Sequence, residues 1–137
     1  MVEPEVIENR IRQLQGYLEK LSQLARTDKK DFLSDFRNVE STKYLLQVSI
    51  ECCLDIANHI IASEKYRSPT DYADSFRVLH EHNIISDSLI GTLVEMAKFR
   101  NRLVHIYWEI NDELLHEIVR NNLNDFDLFI QAIIELL

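Results

Sequence analysis

The sequence predicts an all-α fold, a five-helix bundle of the up-and-down type with a long second helix. Only two glycines and two prolines occur in 137 residues, so few residues suited to hairpin turns are present. Apolar residues make up 46% of the chain and recur at helical spacing, and charged residues make up 28%. The length fits one domain, residues 1–137, with an apolar core large enough to need no disulfide or structural metal.

The first helix is predicted from Pro4 to Arg26. Proline suits the first helical turn, and Glu3 and Glu5 complement the helix dipole there. One apolar stripe follows: Ile7, Ile11, Leu14, Leu18, Leu21 and Ala25. We interpret this stripe as core contact rather than as a separate coiled coil. The polar residues 27–30 form a short connection.

The second helix is predicted from Asp31 to Ser63, which is long for a domain of this size. One set of its apolar residues follows helical spacing: Phe32, Phe36, Val39, Leu46, Cys53, Ile56, Ile60 and Ile61. Another set lies on other faces: Leu45, Val48, Ile50 and Leu54. Apolar residues on several faces predict burial on several sides, a bend or a dimer interface.

The third helix has the clearest local start signal, residues 68–71, with Ser68 as the cap and a proline in the first turn. It runs to about Glu81, and Asn83 ends it. Its inward-facing residues are Tyr72, Phe76 and Leu79.

Two more helices complete the bundle. The fourth is capped by Ser86 or Asp87, and its core residues are Leu89, Leu93, Met96, Leu103 and Val104. The fifth is capped at Asn111 and Asp112 and continues to the end of the chain. Its core residues are Leu114, Ile118, Leu123, Phe126, Phe129, Ile130, Ile133 and Leu137.

The net charge of −8 opposes binding of nucleic acid by the whole surface, and we expect no DNA binding. Any contact with RNA must come from a local basic patch or from a patch formed between subunits. Lys98, Arg100 and Arg102 are the candidate patch. An acidic body also suits a basic protein partner.

The predicted location is the cytoplasm. No apolar run approaches the roughly 18 residues of a membrane span, and residues 1–5 lack the features of a signal peptide. Cys52 and Cys53 are adjacent, which disfavours a bridge between them, so we expect two reduced thiols that pack in the core. We predict no metal site and no cofactor.

A group of reactive side chains closes the fourth helix: Arg100, Asn101, His105 and Tyr107. A guanidinium, an imidazole and a phenol can together bind a phosphate, move its protons and hold an oxygen ligand. At ~100° per residue, Arg100 lies about 140° around the helix from His105, an angle that a long side chain can cross. Tyr107 would lie roughly 200° from His105 in a continuous helix, so it can join the site only if the helix ends near Ile106.

Three segments resemble the HepT branch of the HEPN superfamily of small toxin ribonucleases. The strongest is Phe99-Arg100-Asn101-Arg102-Leu103-Val104-His105-Ile106-Tyr107, with its arginine, four residues, histidine, one residue and tyrosine. Residues 55–62 resemble the second-helix signature of the same branch, and residues 69–79 resemble its proline-tyrosine-phenylalanine-leucine third helix. The resemblance covers nearly the whole chain in order.

This resemblance implies a metal-independent endoribonuclease that acts as a homodimer and is the toxin of a toxin–antitoxin pair. Arg100, His105 and Tyr107 map to the motif arginine, histidine and tyrosine, and Asn101 matches the polar position that supports them. The implied partner is an MNT-type nucleotidyltransferase antitoxin. In that family the antitoxin can transfer AMP from ATP to the motif tyrosine and so silence the ribonuclease.

The residue types also suggest how RNA would be cleaved. The 2′-OH would attack its own phosphate, Arg100 would bind the non-bridging oxygens, and His105 would move a proton. One histidine per chain cannot easily serve both oxygens, which favours a two-fold dimer. Tyr107 would orient phosphate or base, with Lys98 and Arg102 adding charges that position the substrate.

Two other interpretations remain open: a non-catalytic HEPN module that binds RNA, nucleotide or only its transferase partner, and a purely structural helical dimer. The remaining histidines are weaker candidates. His59 lies among apolar residues, and His80 and His82 lie at a helix end without zinc-site spacing. We place His116 on a solvated turn.

Overall fold

The computed structural model describes residues 2–137 and confirms the all-α class. Its helices are α1 (Pro4–Ala25), α2 (Lys29–Ser34), α3 (Phe36–Ser63), α4 (Tyr72–Glu81), α5 (Asp87–His105), α6 (Asp112–Asn121) and α7 (Asn124–Leu136), with a 3₁₀ turn (Tyr107–Glu109) between α5 and α6. The described part of the chain therefore has seven α-helices, and the predicted count of five is too low. The up-and-down order, the single domain over residues 1–137 and the homodimer stay predictions.

The predicted second helix is broken at Asp35. The Asp28 carboxylate accepts a hydrogen bond from the backbone N–H of Asp31 at 2.8 Å and so begins α2. Asp35 has an extended backbone, and its carboxylate accepts from the N–H of Arg37 at 3.0 Å to begin α3. Each aspartate satisfies an otherwise unpaired donor of a first turn, which stabilises two helix starts instead of one continuous helix.

The predicted fifth helix is also broken. The N–H of Asn122 donates to the carbonyl of Ile118 at 2.8 Å, which closes α6, and α7 begins at Asn124. The predicted start at Asn111 is confirmed, because its side chain accepts from the N–H groups of Glu113 and Leu114.

The start of α4 differs from the prediction by three residues. Ser68 and Pro69 lie before the helix, and Asp71 caps it by accepting from the N–H of Asp74 at 2.7 Å. The predicted end is confirmed, since Asn83 follows the helix with a left-handed φ of 62°.

Four residues that the sequence pattern assigned to apolar core faces are instead exposed: Phe36, Tyr72, Val104 and Leu137. Each lies in the first or last turn of its helix or at the end of the chain. Tyr72 is 44% exposed and becomes important for the candidate site.

Helix α3 lies at the centre of the molecule. It packs against α1, α2, α4, α5 and α6, and the buried apolar residues of these helices form one core cluster. Most apolar residues on several faces of α3 are therefore covered by helices of the same chain, and Phe36 is an exception. They do not require a dimer interface to explain them.

The same helix is long and apolar enough to cross a membrane by length and composition. However, 61% of its most apolar 18-residue window is buried inside the protein, as in a core helix. No other described helix passes that test.

Two cysteines and one histidine are buried in the core. Cys52 and Cys53 are unbridged and buried, as predicted, and burial raises the pKa of the Cys52 thiol to about 11. The prediction for His116 is wrong. It is buried in α6, where its Nε2–H donates to the carbonyl of Thr27 at 3.0 Å and its ring contacts Phe32.

Candidate active site

Helix α5 ends at His105, as the motif requires. The N–H of Ile106 donates to the carbonyl of Arg102 at 2.9 Å, and the φ and ψ of Ile106, −139° and 39°, take the chain out of the helix. Tyr107 then begins the 3₁₀ turn. The predicted break near Ile106 is confirmed, so Tyr107 does not follow the helical register of His105.

The Arg100 guanidinium is held on three sides. Its Nε and Nη2 donate to one carboxylate oxygen of Glu51, Oε2, at 3.0 and 2.8 Å. Its Nη1 donates to the side-chain oxygen of Asn101 at 3.3 Å. Its central carbon lies over the ring of Tyr72, 4.8 Å from the ring centroid. Only 15% of the Arg100 side chain is exposed.

Unlike the Arg100 guanidinium, the His105 imidazole is not held by other side chains. It is exposed at the last residue of α5, and its imidazole has no hydrogen bond or ion pair with another side chain between residues 2 and 137. Val104 beside it is 37% exposed. The imidazole is therefore open to solvent, to a substrate or to a second protein chain.

Tyr107 is fixed through its backbone while its ring stays open. The Lys43 ammonium donates to the carbonyl of Tyr107 at 3.2 Å and lies 5.2 Å from the ring centroid. The ring is 48% exposed and meets the edge of the Trp108 ring at 5.9 Å. Lys43, on α3, thus fastens the turn that follows α5.

Lys98 and Arg102 do not lie beside Arg100. Both line a cleft of about 780 Å³ on another side of α5, which has apolar walls that include Met96 and Phe126. Arg102 lies over the Phe99 ring, 5.7 Å from its centroid, and Lys98 pairs with Glu95 at 3.6 Å. The predicted patch of three basic residues is therefore divided between two surfaces.

Two adjoining cavities open beside Arg100. The smaller, about 190 Å³, is lined by Glu51, Leu54, Asp55, Asn58, Tyr72 and Arg100. The larger, about 330 Å³, is lined by Asn58, Pro69, Thr70, Asp71, Tyr72, Ser75 and Asn101. Asn58 and Tyr72 border both, so the two cavities form one indented surface around the Tyr72 ring. Within residues 2–137, no three histidine, cysteine or carboxylate side chains cluster as a metal site would.

Sequence reasoning missed three residues of this site: Lys43, Glu51 and Tyr72. Glu51 gave a signal, since it is a charged residue between Ile50 and Cys52 in an otherwise apolar stretch of α3. Tyr72 lies within a recognised segment, but the pattern assigned its ring to the core. The contact of Lys43 with Tyr107 spans 64 residues and left no signal in the local pattern.

A family model described as ribonuclease HepT-like matches residues 14–133. The chain belongs to the HepT-like family. The mRNA nuclease HepT of Shewanella oneidensis is 33% identical over 129 residues, 94% of this chain and 96% of that protein. The tRNA nuclease HepT of Aphanizomenon flos-aquae is 27% identical over 132 residues, 96% and 90% of the two chains.

A solved structure shows the same family fold. The tri-AMPylated Shewanella oneidensis HEPN toxin in complex with MNT antitoxin superposes with a TM-score of 0.87 at 33% identity. The match covers 95% of this chain and 97% of that one. The resemblance to the HepT branch of the HEPN superfamily is thus confirmed.

Proposed function

We propose that this chain is a metal-independent endoribonuclease, the toxin of a toxin–antitoxin pair, in which Arg100 and His105 are the catalytic residues. The observation that carries the proposal is the position of Arg100. Its guanidinium is fixed at the edge of an open cavity, and it lies on the same helix, α5, that ends at the exposed His105. The family relatives that are nucleases support it.

The proposed reaction needs only the groups of the chain and the RNA. The 2′-oxygen of the ribose attacks the adjacent phosphorus, the bond from phosphorus to the 5′-oxygen breaks, and a 2′,3′-cyclic phosphate and a 5′-hydroxyl result. Arg100 binds the non-bridging oxygens, where charge develops. One His105 takes the proton from the 2′-OH and a second, protonated His105 gives a proton to the leaving oxygen.

The need for two imidazoles supports a homodimer. His105 follows Arg100 by five positions on the helix, a rise of about 7.5 Å along the axis, and the two side chains differ by about 140° in direction. A second copy related by a two-fold axis would bring another His105 to the cleft. We expect a dimer at micromolar concentration in solution scattering, and a monomer would contradict this part of the proposal.

The proposed partner is an MNT-type nucleotidyltransferase antitoxin that transfers AMP to the Tyr107 hydroxyl. The exposed ring of Tyr107 and its fixed backbone make the phenol accessible at a defined place. The complex of the Shewanella oneidensis toxin, which is AMPylated and bound to MNT antitoxin, supports this role by family relationship. We place Asn101 as the support of Arg100. We place Lys98 and Arg102 as charges that contact RNA away from the two cavities beside Arg100.

One observation favours the second candidate, a non-catalytic HEPN module that binds RNA or its partner. Arg100 forms an ion pair with Glu51 at 2.8 Å, which is what an arginine with a structural role would also do. Such a module would bind RNA without cleaving it.

Cleavage by purified protein distinguishes these functions. In a buffer containing a chelator, wild type should cleave single-stranded RNA to products with a 2′,3′-cyclic phosphate, and His105→Ala should bind the RNA without cleaving it. His82→Ala is the matched control, because His82 is also exposed but stacks on Tyr66 far along the sequence from the motif. RNA binding by wild type without cleavage would establish the binding module, and cleavage only with added metal would refute metal independence.

A further inference from the structure

Tyr72 is an exposed aromatic residue at the centre of the Arg100 surface. The residue is 44% exposed, although it lies in the first turn of a helix whose next residues, 73–76, are buried. Arg100 lies over the ring at 4.8 Å. Arg100 lines only the smaller of the two cavities, whereas Tyr72 lines both, so the ring remains accessible from the larger cavity.

The larger cavity has the size and the polar groups of a small-molecule site. Its volume of about 330 Å³ lies within the range of roughly 300–1,000 Å³ that such sites show. The side-chain oxygen of Asn58 accepts from the Ser75 hydroxyl at 2.8 Å, and that of Asn101 accepts from Arg100. Each amide therefore directs its oxygen to a protein partner and keeps its NH₂ group for another acceptor.

The charges around the cavities favour different positions for the base and the phosphate of a nucleotide. Glu51, Asp55 and Asp71 are carboxylates that border the cavities, and they would repel a phosphate placed inside. A neutral base meets no such repulsion, and its N–H groups can donate to a carboxylate. Among the residues that line the two cavities, Arg100 is the one cation, so a phosphate is favoured beside its guanidinium.

We propose that Tyr72, Asn58 and Asn101 form a subsite for one unpaired nucleobase of RNA, next to the phosphate held by Arg100. The base stacks on the Tyr72 ring from the larger cavity, and the amide groups of Asn58 and Asn101 donate to acceptors on its edge. The subsite rests on the proposed function, because Arg100 must hold an RNA phosphate. It makes single-stranded RNA the substrate class, since a paired base cannot leave its helix to enter a cavity without unstacking.

A cycle of protein and RNA changes tests the subsite. The proteins are His105→Ala and His105→Ala with Tyr72→Leu, and the probes are fluorescent short oligoribonucleotides that lack the base at one position in turn. Tyr72→Leu should weaken binding of the intact RNA by about 10-fold, the effect of one lost base–aromatic stack. At one position the loss of the base should have the same effect, and there Tyr72→Leu should weaken binding no further.

Three controls accompany this cycle. Tyr72→Phe, made in the His105→Ala protein, keeps the ring and should bind the RNA probes as tightly as His105→Ala alone does. Phe36→Leu removes a ring that is 75% exposed on α3, about 22 Å along the helix from Glu51, and should leave binding unchanged. Thermal melting and the oligomeric state of the Tyr72→Leu protein should match those of its parent.

The possible results distinguish the subsite from the proposed function. If Tyr72→Leu weakens binding equally for every probe, or not at all, the subsite is refuted while cleavage by wild type still stands. If Tyr72→Leu dissociates the dimer, Tyr72 is an interface residue and the subsite is again refuted. If the protein binds none of the RNA probes, both the subsite and the proposed function fail.

Discussion

Arg100 and Tyr107 are seven residues apart in the sequence, yet the structure holds their side chains differently. The Arg100 side chain is 15% exposed and contacts a carboxylate, an amide and an aromatic ring. Tyr107 is exposed, 48% over the whole residue, and the hydrogen bond that fixes it is accepted by its backbone carbonyl. His105 between them is exposed as well.

This difference indicates that the two ends of the motif have different roles. Ordering a long arginine on binding costs side-chain entropy, and the contacts of Arg100 meet that cost in the folded protein before any ligand arrives. His105 and Tyr107 lie where the helix has ended, and their exposed rings can meet a second copy, RNA or a modifying partner. We infer that Arg100 is preorganised, whereas the His105 and Tyr107 region is completed by other molecules.

The largest expected effect comes from removing the fixed group. Arg100→Ala should lower the rate of RNA cleavage by ~100-fold or more, because the guanidinium no longer stabilises charge that develops on the phosphate. Arg100→Lys keeps the charge but loses the two donors that Glu51 orients, so it should recover only part of that rate. Single-turnover cleavage rates measure both variants.

The double variant Arg100→Ala with His105→Ala should be little slower than either single variant, since the two residues act on one phosphate. Full activity in Arg100→Ala would contradict the proposed catalytic role of Arg100, because the fixed arginine would then be a structural residue. Circular dichroism should show unchanged helical content in all of these proteins.

The second effect concerns the open half of the motif. Wild type incubated with its nucleotidyltransferase and ATP should gain one or more AMP units by intact-mass spectrometry, and Tyr107→Phe should gain none. The added phosphodiesters carry negative charge that would repel RNA phosphate, so modified protein should lose RNA affinity. Tyr44→Phe is the matched control, because Tyr44 is 60% exposed on α3 next to Lys43. An AMP increment on Tyr107→Phe would place the modification on another residue.

A smaller effect should follow from loosening Arg100 without removing it. Glu51→Gln keeps an oxygen that can accept from Nε and Nη2 of Arg100 but removes the negative charge that strengthens these bonds. The maximal cleavage rate should fall by roughly 10-fold, because a misplaced guanidinium stabilises the transition state less well. The KM should stay the same or decrease, since a carboxylate near the RNA phosphate is gone. A higher maximal rate would instead show that Glu51 competes with RNA for Arg100.

The parts of this molecule that could be predicted are those set by short-range sequence patterns. The apolar stripe of α1 gave its extent to within a residue, and the requirement that Tyr107 leave the helix gave the end of α5. The breaks at Asp35 and Asn122 were missed because the apolar spacing continues through them. At Asp35 the outcome depends on competition between a capping carboxylate and a continuous helix.

The surroundings of Arg100 could not be predicted because they depend on distant parts of the chain. Glu51 is 49 residues from Arg100 in sequence, and Tyr72 comes from the start of another helix. Helical periodicity indicates which face of a helix is buried, but it does not identify the residue on a neighbouring helix that will face a given side chain. Glu51 was visible as a charge in an apolar stretch, but its partner was not.

The last expected effect is on stability rather than on cleavage or modification, and it acts through the segment that carries Tyr72. The Asp74 carboxylate, only 8% exposed, accepts from Arg67 and from the N–H of Thr70 at 2.9 Å. Asp74→Asn should lower the free energy of unfolding by about 2 kcal/mol at neutral pH, since it weakens charge-assisted bonds. Hydrogen exchange should then quicken at the hydrogen-bonded N–H groups of Thr70 and Ser75. It should stay unchanged at Ile110, whose N–H donates to the carbonyl of Tyr107. Equal loosening at Ile110 would mean that the two halves of the motif are held together rather than separately.

The pH dependence of stability sharpens the same test. The hydrogen-bonded Arg67 guanidinium holds the pKa of the Asp74 carboxyl well below its usual range. A carboxyl whose pKa is lowered by folding stabilises the protein fully above its unfolded pKa of about 3.9, and this contribution is lost as the pH falls toward the folded pKa. The difference in unfolding free energy between wild type and Asp74→Asn should therefore be constant from pH 7 to about pH 5 and shrink below about pH 4. The exposed Asp127, changed to Asn, is the control and should show no such difference. If the difference in unfolding free energy persisted at low pH, Asp74 would act by packing. The segment that carries Tyr72 would then stay fixed when the Asp74 carboxylate is protonated.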